Sequence, residues 1–98
     1  MEDTKTKEET LDQIFEDLDI NIGEDHILLI WNDEVNDMFH VVMSLVEVCQ
    51  ISSELAFKIM MDTHNNGKSV VKKDIESVLL KMKKGLNDRG IEATVEKG

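Results

Sequence analysis

The sequence contains no proline, no tyrosine and a single cysteine. Because Cys49 has no second cysteine to pair with, a disulfide within the chain is excluded, which fits a reducing compartment such as the cytoplasm. No apolar run comes near the roughly 20 residues that a membrane-spanning helix needs. The first residues also lack the basic region and apolar core of a signal peptide, so secretion by that route is not expected.

Basic residues are scarce at the N-terminus, and the charge is unevenly distributed. The formal net charge is −10. Residues 1–25 hold ten acidic residues and two lysines, a net charge of −8, whereas residues 26–98 hold eleven acidic and nine basic residues, a net charge of −2. An acidic segment repels phosphates, so neither nucleic acid nor membrane is expected as a partner. We therefore divide the chain into an acidic, flexible N-terminal extension (1–25) and one small domain (26–98).

Apolar spacing and cap residues predict six elements in the order β-α-α-β-α-β. Continuous apolar runs indicate strands, and apolar residues at intervals of three and four indicate helices. In chain order we expect a strand over 26–31, a helix from Met38 to Cys49, a helix capped by Ser52 and ended by Asn65–Gly67, a strand over 68–72, a helix capped by Asp74 and ended by Arg89–Gly90, and a strand over 91–95. Each helix has one apolar face, so the fold class is α+β, with two layers: three helices packed on a small three-stranded sheet.

The motifs predict neither a metal site nor a catalytic set. The segment Asp62–Gly67 imitates the start of a calcium-binding EF-hand loop, but His64 and Lys73 stand where that loop needs oxygen ligands. The three histidines lack zinc-type spacing. Cys49 lies on the apolar stripe of the first helix, which is typical of a core residue rather than a nucleophile. We expect no cofactor, no metal and no catalytic residue.

A cluster of polar side chains follows the first predicted strand. The segment Asn32–Asp37 holds three acids and two amides between apolar residues. Asn36 or Asp37 would cap the helix that follows, and Asp33 would be either a turn residue or a charge at the rim of a site. Taken singly, each of these residues has a structural explanation; taken together they indicate half of a binding site.

Two motifs in this order resemble those of the ClpS family, the bacterial and organellar adaptors of the Clp protease. The first motif is Ile30–Glu34 (Ile-Trp-Asn-Asp-Glu) followed by Met38, and the second is Ile59–Lys68 (Ile-Met-Met-Asp-Thr-His-Asn-Asn-Gly-Lys). The family pattern is an apolar strand leading into Asn-Asp-Asp, a methionine a few residues on, and then Met-Met-x-x-His-x-x-Gly-Lys. The resemblance covers residues 26–96, and the family fold is the arrangement predicted above.

The resemblance implies a non-enzymatic adaptor that binds N-degron proteins, whose first residue is large and apolar (Leu, Phe, Tyr or Trp), and delivers them to a Clp-type AAA+ unfoldase and protease. A free α-amino group is an ammonium with three N–H donors, and Asn32, Glu34 and a neutral His64 can supply three acceptors. The first side chain would enter an apolar pocket, where its burial contributes roughly 1.5–3 kcal/mol. The walls of this pocket would be Ile30, Met38, Val41, Met60, Thr63 and Ile91.

The resemblance also implies how partners hold the adaptor. The N-terminal domain of the unfoldase would contact a surface apart from the pocket that includes Glu76 and Lys81. The unfoldase would engage the extension over 1–25 as a handle. The expected protein is a cytoplasmic monomer whose partners are that unfoldase domain and N-degron proteins or peptides.

Three departures from the family pattern bear on selectivity. Glu34 stands where aspartate is usual, which moves the carboxylate one methylene further out. Thr63 stands where valine is common and adds a hydroxyl to the pocket wall, and Asn36–Asp37 replaces the frequent Thr-Pro. The pocket is therefore expected to be narrower or more polar than usual in the family.

Two alternative functions use the same residues differently. A structural protein-interaction module without N-degron binding would fit, since the C-terminal domain of the ribosomal stalk protein has a similar architecture and fold does not fix function. A small enzyme could use Asp33, Glu34 and His64 for acid–base chemistry, but no nucleophile or metal accompanies them.

Overall fold

The computed structural model describes residues 26–98, so the extension predicted over 1–25 lies outside the described residues. The elements are β1 (His26–Trp31), α1 (Met38–Cys49), α2 (Ser53–Asn66), β2 (Lys68–Asp74), α3 (Glu76–Asp88) and β3 (Ala93–Lys97). The predicted order and the α+β class are confirmed: three helices pack on one three-stranded antiparallel sheet.

The central strand β1 positions the site. The strand order is β2-β1-β3, and both pairings are antiparallel. The continuous apolar run of this central strand is buried, with residues 28–30 at most 4% exposed. Trp31, the last residue of β1, pairs with Lys68, the first residue of β2, and Ile30 pairs with Ala93, the first residue of β3. The end of β1 therefore meets the beginnings of both neighbouring strands.

The core lies between the sheet and the helices. Leu28 and Ile30 of the sheet and Leu45, Leu79 and Leu86 of the helices are fully buried in it. The thiol of Cys49 is buried in the same cluster. Burial raises the pKa of Cys49 to about 11 in spite of the opposing charge of Lys72, so the thiol stays neutral at physiological pH. This agrees with the interpretation of Cys49 as a core residue.

Side-chain caps begin two of the helices as the sequence predicts. Of the two candidates before α1, Asp37 is the N-cap: its carboxylate accepts a hydrogen bond of 2.8 Å from the backbone N–H of His40. The Ser52 hydroxyl accepts from the N–H of Leu55 at 3.1 Å and caps α2. These bonds fix where α1 and α2 begin, and hence where the residues on their first and last turns lie.

Several boundaries in the second half of the chain were predicted wrongly: β2 ends at Asp74 rather than at Lys72, and β3 ends at Lys97 rather than at Val95. Asp74 does not cap α3; it ends β2, its carboxylate accepts from the next N–H, and the N-cap is Ile75, which has no side-chain bond. The last strand begins at Ala93 rather than at Ile91. The reason is that the N–H of Ile91 is used by the end of α3, where it donates to the carbonyl of Leu86 at 3.0 Å.

Candidate functional site

A cavity of about 360 Å³ opens where the end of β1 meets the first turn of α1 and the last turns of α2. This volume lies in the range of pockets that bind small molecules or single side chains. The structure brings all nine of the predicted amine-binding and pocket residues together in its lining. They are Asn32, Glu34, His64, Ile30, Met38, Val41, Met60, Thr63 and Ile91.

One backbone hydrogen bond joins the two sequence motifs, and a second, within the second motif, closes the end of α2. The N–H of Asn32 donates to the carbonyl of Gly67 at 2.8 Å, and the N–H of Gly67 donates to the carbonyl of Thr63 at 2.8 Å. Gly67 has φ +92°, in the left-handed region that favours glycine, and it ends α2 there. The second motif needs its glycine for this reason, and the result is that His64 lies beside the end of β1.

Asp33 holds the loop between β1 and α1 in shape. Its carboxylate accepts hydrogen bonds of 2.9 Å from the backbone N–H groups of Val35 and Asn36, and one of 3.1 Å from the side-chain amide of Asn36. Burial raises the pKa of Asp33, but these hydrogen bonds and the nearby His40 outweigh burial and hold the pKa below its ordinary value. Asp33 is therefore a turn residue whose oxygens are engaged by the protein itself, and it also lies in the lining of the cavity.

The three predicted amine acceptors are exposed at the cavity. Asn32, Glu34 and His64 each contribute to its lining. Within residues 26–98, none of their side chains forms a hydrogen bond or an ion pair. Their oxygen and nitrogen atoms are therefore uncommitted and can accept from a ligand.

The apolar part of the lining divides into a floor and a rim. Ile30, Met60 and Ile91 are at most 4% exposed and form the floor, whereas Met38 is 48% exposed at the rim. Thr63 belongs to the floor, and its hydroxyl donates to the carbonyl of Ile59 at 2.7 Å. Since that bond uses the hydroxyl proton, the threonine adds less polarity to the wall than the sequence suggested.

Trp31, Asn36 and Asp37 were not among the predicted cavity residues, but all three line the cavity. The indole of Trp31 donates to the hydroxyl of Thr94 at 2.9 Å, and the ammonium of Lys68 lies 5.0 Å from the ring centre. For Asp37 the available signal was its position as a candidate N-cap of α1, which places it at the start of that helix. For Asn36 the one available signal was its place in the segment that departs from the family pattern.

The two residues expected to contact the unfoldase lie elsewhere. Glu76 and Lys81 are exposed on α3 and do not line the cavity. Among residues 26–98, no group of three or more His, Cys, Asp and Glu side chains is placed to hold a metal ion. No helix in the same part of the chain has the length and apolar composition to cross a membrane.

Comparisons with known proteins agree with this fold. Residues 23–93 match the family model described as "ATP-dependent Clp protease adaptor protein ClpS". The ATP-dependent Clp protease adapter protein ClpS of Prochlorococcus marinus (strain MIT 9515) is 36% identical over 72 residues, which are 71% of this chain and 68% of that protein. The solved structure of Agrobacterium tumefaciens ClpS2 bound to L-phenylalaninamide has the same fold, with a TM-score of 0.69, 21% identity and coverage of 76% of this chain and 98% of that one. The chain belongs to the ClpS family, whose members are adaptor proteins of the ATP-dependent Clp protease and not enzymes.

Proposed function

We propose that the cavity binds the first residue of proteins that have a free α-amino group and a large apolar N-terminal side chain (Leu, Phe, Tyr or Trp), and that the chain delivers them in the cytoplasm to a Clp-type AAA+ unfoldase. One observation carries the proposal: a single cavity combines exposed, uncommitted polar acceptors with a buried apolar floor. A ligand that fits both parts must have a cationic donor group next to a large apolar group.

The polar part of the cavity suits an ammonium better than an internal amide. An ammonium has three N–H donors, and Asn32, Glu34 and His64 supply acceptors for them. The bond to the Glu34 carboxylate is charge-assisted and therefore stronger than a bond between neutral groups. An internal residue brings one uncharged N–H to the same place, so chain ends should be preferred.

The apolar floor suits a side chain of aromatic or leucine size. Ile30, Met60 and Ile91 offer buried apolar surface, and methionine adapts to several shapes. Burying one large side chain there contributes roughly 1.5–3 kcal/mol. L-phenylalaninamide, the molecule bound to the Agrobacterium ClpS2, has a free α-amino group and a benzyl group, the same pair of features.

A binding experiment with matched peptides tests the proposal. Peptides beginning with free Leu or Phe should bind with micromolar or better affinity in isothermal titration calorimetry. The same peptides with an acetylated N-terminus should not bind, because acetylation removes the charge and two of the three donors. Equal affinity of free and acetylated peptides would refute the proposed amine site and would favour a general interaction module.

Delivery should depend on a surface apart from the cavity. We assign Glu76 and Lys81, both exposed on α3, to the contact with the N-terminal domain of the unfoldase. Reversing both charges (Glu76→Lys with Lys81→Glu) should abolish delivery of a substrate for degradation and leave peptide affinity unchanged. If the double variant delivers as well as the parent, the contact lies elsewhere.

A further inference from the structure

Contacts of three side chains, Asn36, His40 and Arg89, connect the turn between α3 and β3 with α1 and the loop before it. The Asn36 side-chain amide donates to the carbonyl of Gly90 at 2.7 Å. The His40 ring nitrogen Nε2 lies 2.8 Å from the carbonyl of Arg89, and since a carbonyl can only accept, Nε2 carries the proton. The Arg89 guanidinium in turn pairs with the carboxylate of Glu47 on α1. These side chains connect the turn with the loop and helix that carry Glu34, Met38 and Val41.

The backbone of the turn places Ile91. Gly90 has φ +83°, its N–H donates to the carbonyl of Asn87 at 2.9 Å, and the N–H of Ile91 donates to the carbonyl of Leu86 at 3.0 Å. This pair of bonds is the Schellman ending of a helix, in which the residue after the glycine packs against the last turn. Ile91 and Leu86 are accordingly both buried. A displacement of the turn would therefore carry the Ile91 wall of the cavity with it.

Asn36 links the turn directly to the amine-binding loop. Its backbone N–H and side-chain amide donate to the carboxylate of Asp33 at 2.9 and 3.1 Å, and the same side-chain amide reaches Gly90. One residue thus holds the loop that carries Asn32 and Glu34 at a fixed distance from the turn that carries Ile91. The sequence at this point is the Asn36–Asp37 departure from the family pattern.

We propose that Asn36 and His40 are positioning residues that set the width of the cavity by holding Ile91 toward α1, and so determine the relative affinities for first residues of different size. This proposal rests on the proposed function. His40 does not line the cavity, and the positioning role of Asn36, which does line it, requires no contact with the ligand. If the two contacts are lost, the Ile91 wall retreats, and a gap of less than about 1 Å already forfeits a large part of the dispersion energy. A leucine loses that contact, whereas a tryptophan fills the added space.

The test compares peptides that differ only in their first residue, Leu or Trp. In the full chain, Asn36→Ala with His40→Ala should weaken Leu-peptide binding about fivefold and Trp-peptide binding less than about twofold. The single variant His40→Gln, in which Asn36 is retained, should behave like the parent, since the glutamine amide replaces the Nε2 donor. Asn65→Ala, which removes an exposed amide outside the cavity, is the matched control. It should leave the ratio of Leu-peptide affinity to Trp-peptide affinity unchanged.

A measurement on the unbound protein separates this proposal from the proposed function. The methyl resonance of Ile91 should shift and broaden in the Asn36→Ala, His40→Ala variant and stay at the parent position in the Asn65→Ala variant. An unchanged Leu to Trp ratio together with an unchanged Ile91 resonance would overturn the positioning role. If the parent protein binds no free-amine peptide, the proposed function fails, and the Ile91 resonance alone then decides whether Asn36 and His40 position the wall.

Discussion

At the scale of the residue, Glu34 differs from the other acids of its loop. The carboxylate of Asp33 accepts from the loop backbone and that of Asp37 caps α1, whereas Glu34 is exposed and makes no hydrogen bond within residues 26–98. Its charge is therefore available to a ligand. Two of the three acids in this short segment thus bind the protein's own backbone, and the third is left uncommitted.

Removing that charge should weaken peptide binding. Glu34→Gln replaces a charge-assisted hydrogen bond by a neutral one, a loss of about 1 kcal/mol or roughly fivefold in affinity for a free-amine peptide. Glu34→Asp keeps the charge but withdraws it by one methylene, so its peptide affinity should lie between those of the parent and of Glu34→Gln. Glu96→Gln, the same charge change on an exposed residue of β3, is the control. If calorimetry gives Glu34→Gln the same peptide affinity as the control, Glu34 does not bind the amine.

Asp33 should give the loop a dependence on pH. Since its pKa is lowered in the folded state, it stabilises the fold at pH values above the ordinary carboxyl pKa. This contribution is lost as the pH falls below about 4 and through the lowered pKa. Urea unfolding should show the parent more stable than Asp33→Asn at about pH 6, with the difference shrinking toward about pH 3. A difference that stays constant over this range would contradict the role of the ionised carboxylate.

Ser44 is a buried polar residue, and removal of its hydroxyl should stabilise the protein. It is 1% exposed, and its hydroxyl has no hydrogen-bond partner within the part of the chain that the structure describes. A buried hydroxyl without a partner costs about 1–3 kcal/mol, so Ser44→Ala should raise the free energy of unfolding. Ser77→Ala on the exposed side of α3 measures the gain in helix propensity alone, about 0.5 kcal/mol. Equal gains for both variants would mean that the Ser44 hydroxyl is satisfied.

At the scale of the element, α1 and α3 approach each other closely at Gly85. A Cβ atom at this position would lie 2.9 Å from a methyl group of Val48, so an alanine fits only if the Val48 side chain or one of the helices shifts. Gly85→Ala should therefore destabilise the protein, although alanine is favoured over glycine in a helix by about 1 kcal/mol. In a Val48→Ala background the same change should become stabilising. Denaturant unfolding of the four proteins measures this coupling, and additive effects would contradict the close approach.

The elements themselves could be predicted from the sequence because their signals are local. The apolar run of β1, the helical stripe of α1 and the Ser52 and Gly67 caps each depend on residues a few positions apart. One error arose where a distant group decides the outcome, because Asp74 is held in β2 by its pairing with His26 of β1. The other arose where two local patterns compete: the N–H of Ile91 is taken by the Schellman ending of α3, although the alternating pattern over 91–95 indicates a strand.

The same distinction explains which part of the site could be predicted. The acceptors and four of the apolar walls belong to two motifs, and the resemblance of these motifs to the ClpS pattern is enough to group them. The other two walls, Val41 and Ile91, lie outside the motifs and were implied by the family resemblance alone. The contacts of Asn36 and His40 with the turn at Arg89–Gly90 span about fifty positions of the chain. Their acceptors are backbone carbonyls, which carry no residue type and therefore leave no trace in the sequence.

At the scale of the whole molecule, recognition and delivery are assigned to opposite ends of β1. The cavity lies at the Trp31 end. At the other end, the ring of His26 lies 3.9 Å from the carboxylate of Glu76, and residue 25, the last of the acidic extension, is bonded to His26. A strand of six residues separates the two ends by roughly 20 Å. The extension therefore joins the domain beside the proposed unfoldase surface and away from the proposed amine site.

Shortening the extension should consequently separate the two activities. Deletion of residues 2–20 leaves a short lead before β1 and should change the affinity for a free-amine peptide by less than about twofold, because the extension joins the domain more than a Debye length from the cavity at physiological salt. Delivery of the same substrate to the unfoldase should be lost. A chain in which residues 2–20 are shuffled keeps length and charge, so recovery of delivery there would show that the unfoldase requires only a long acidic segment. A deletion that weakens peptide binding and delivery in parallel would instead place the extension at the cavity and contradict the division of roles along β1.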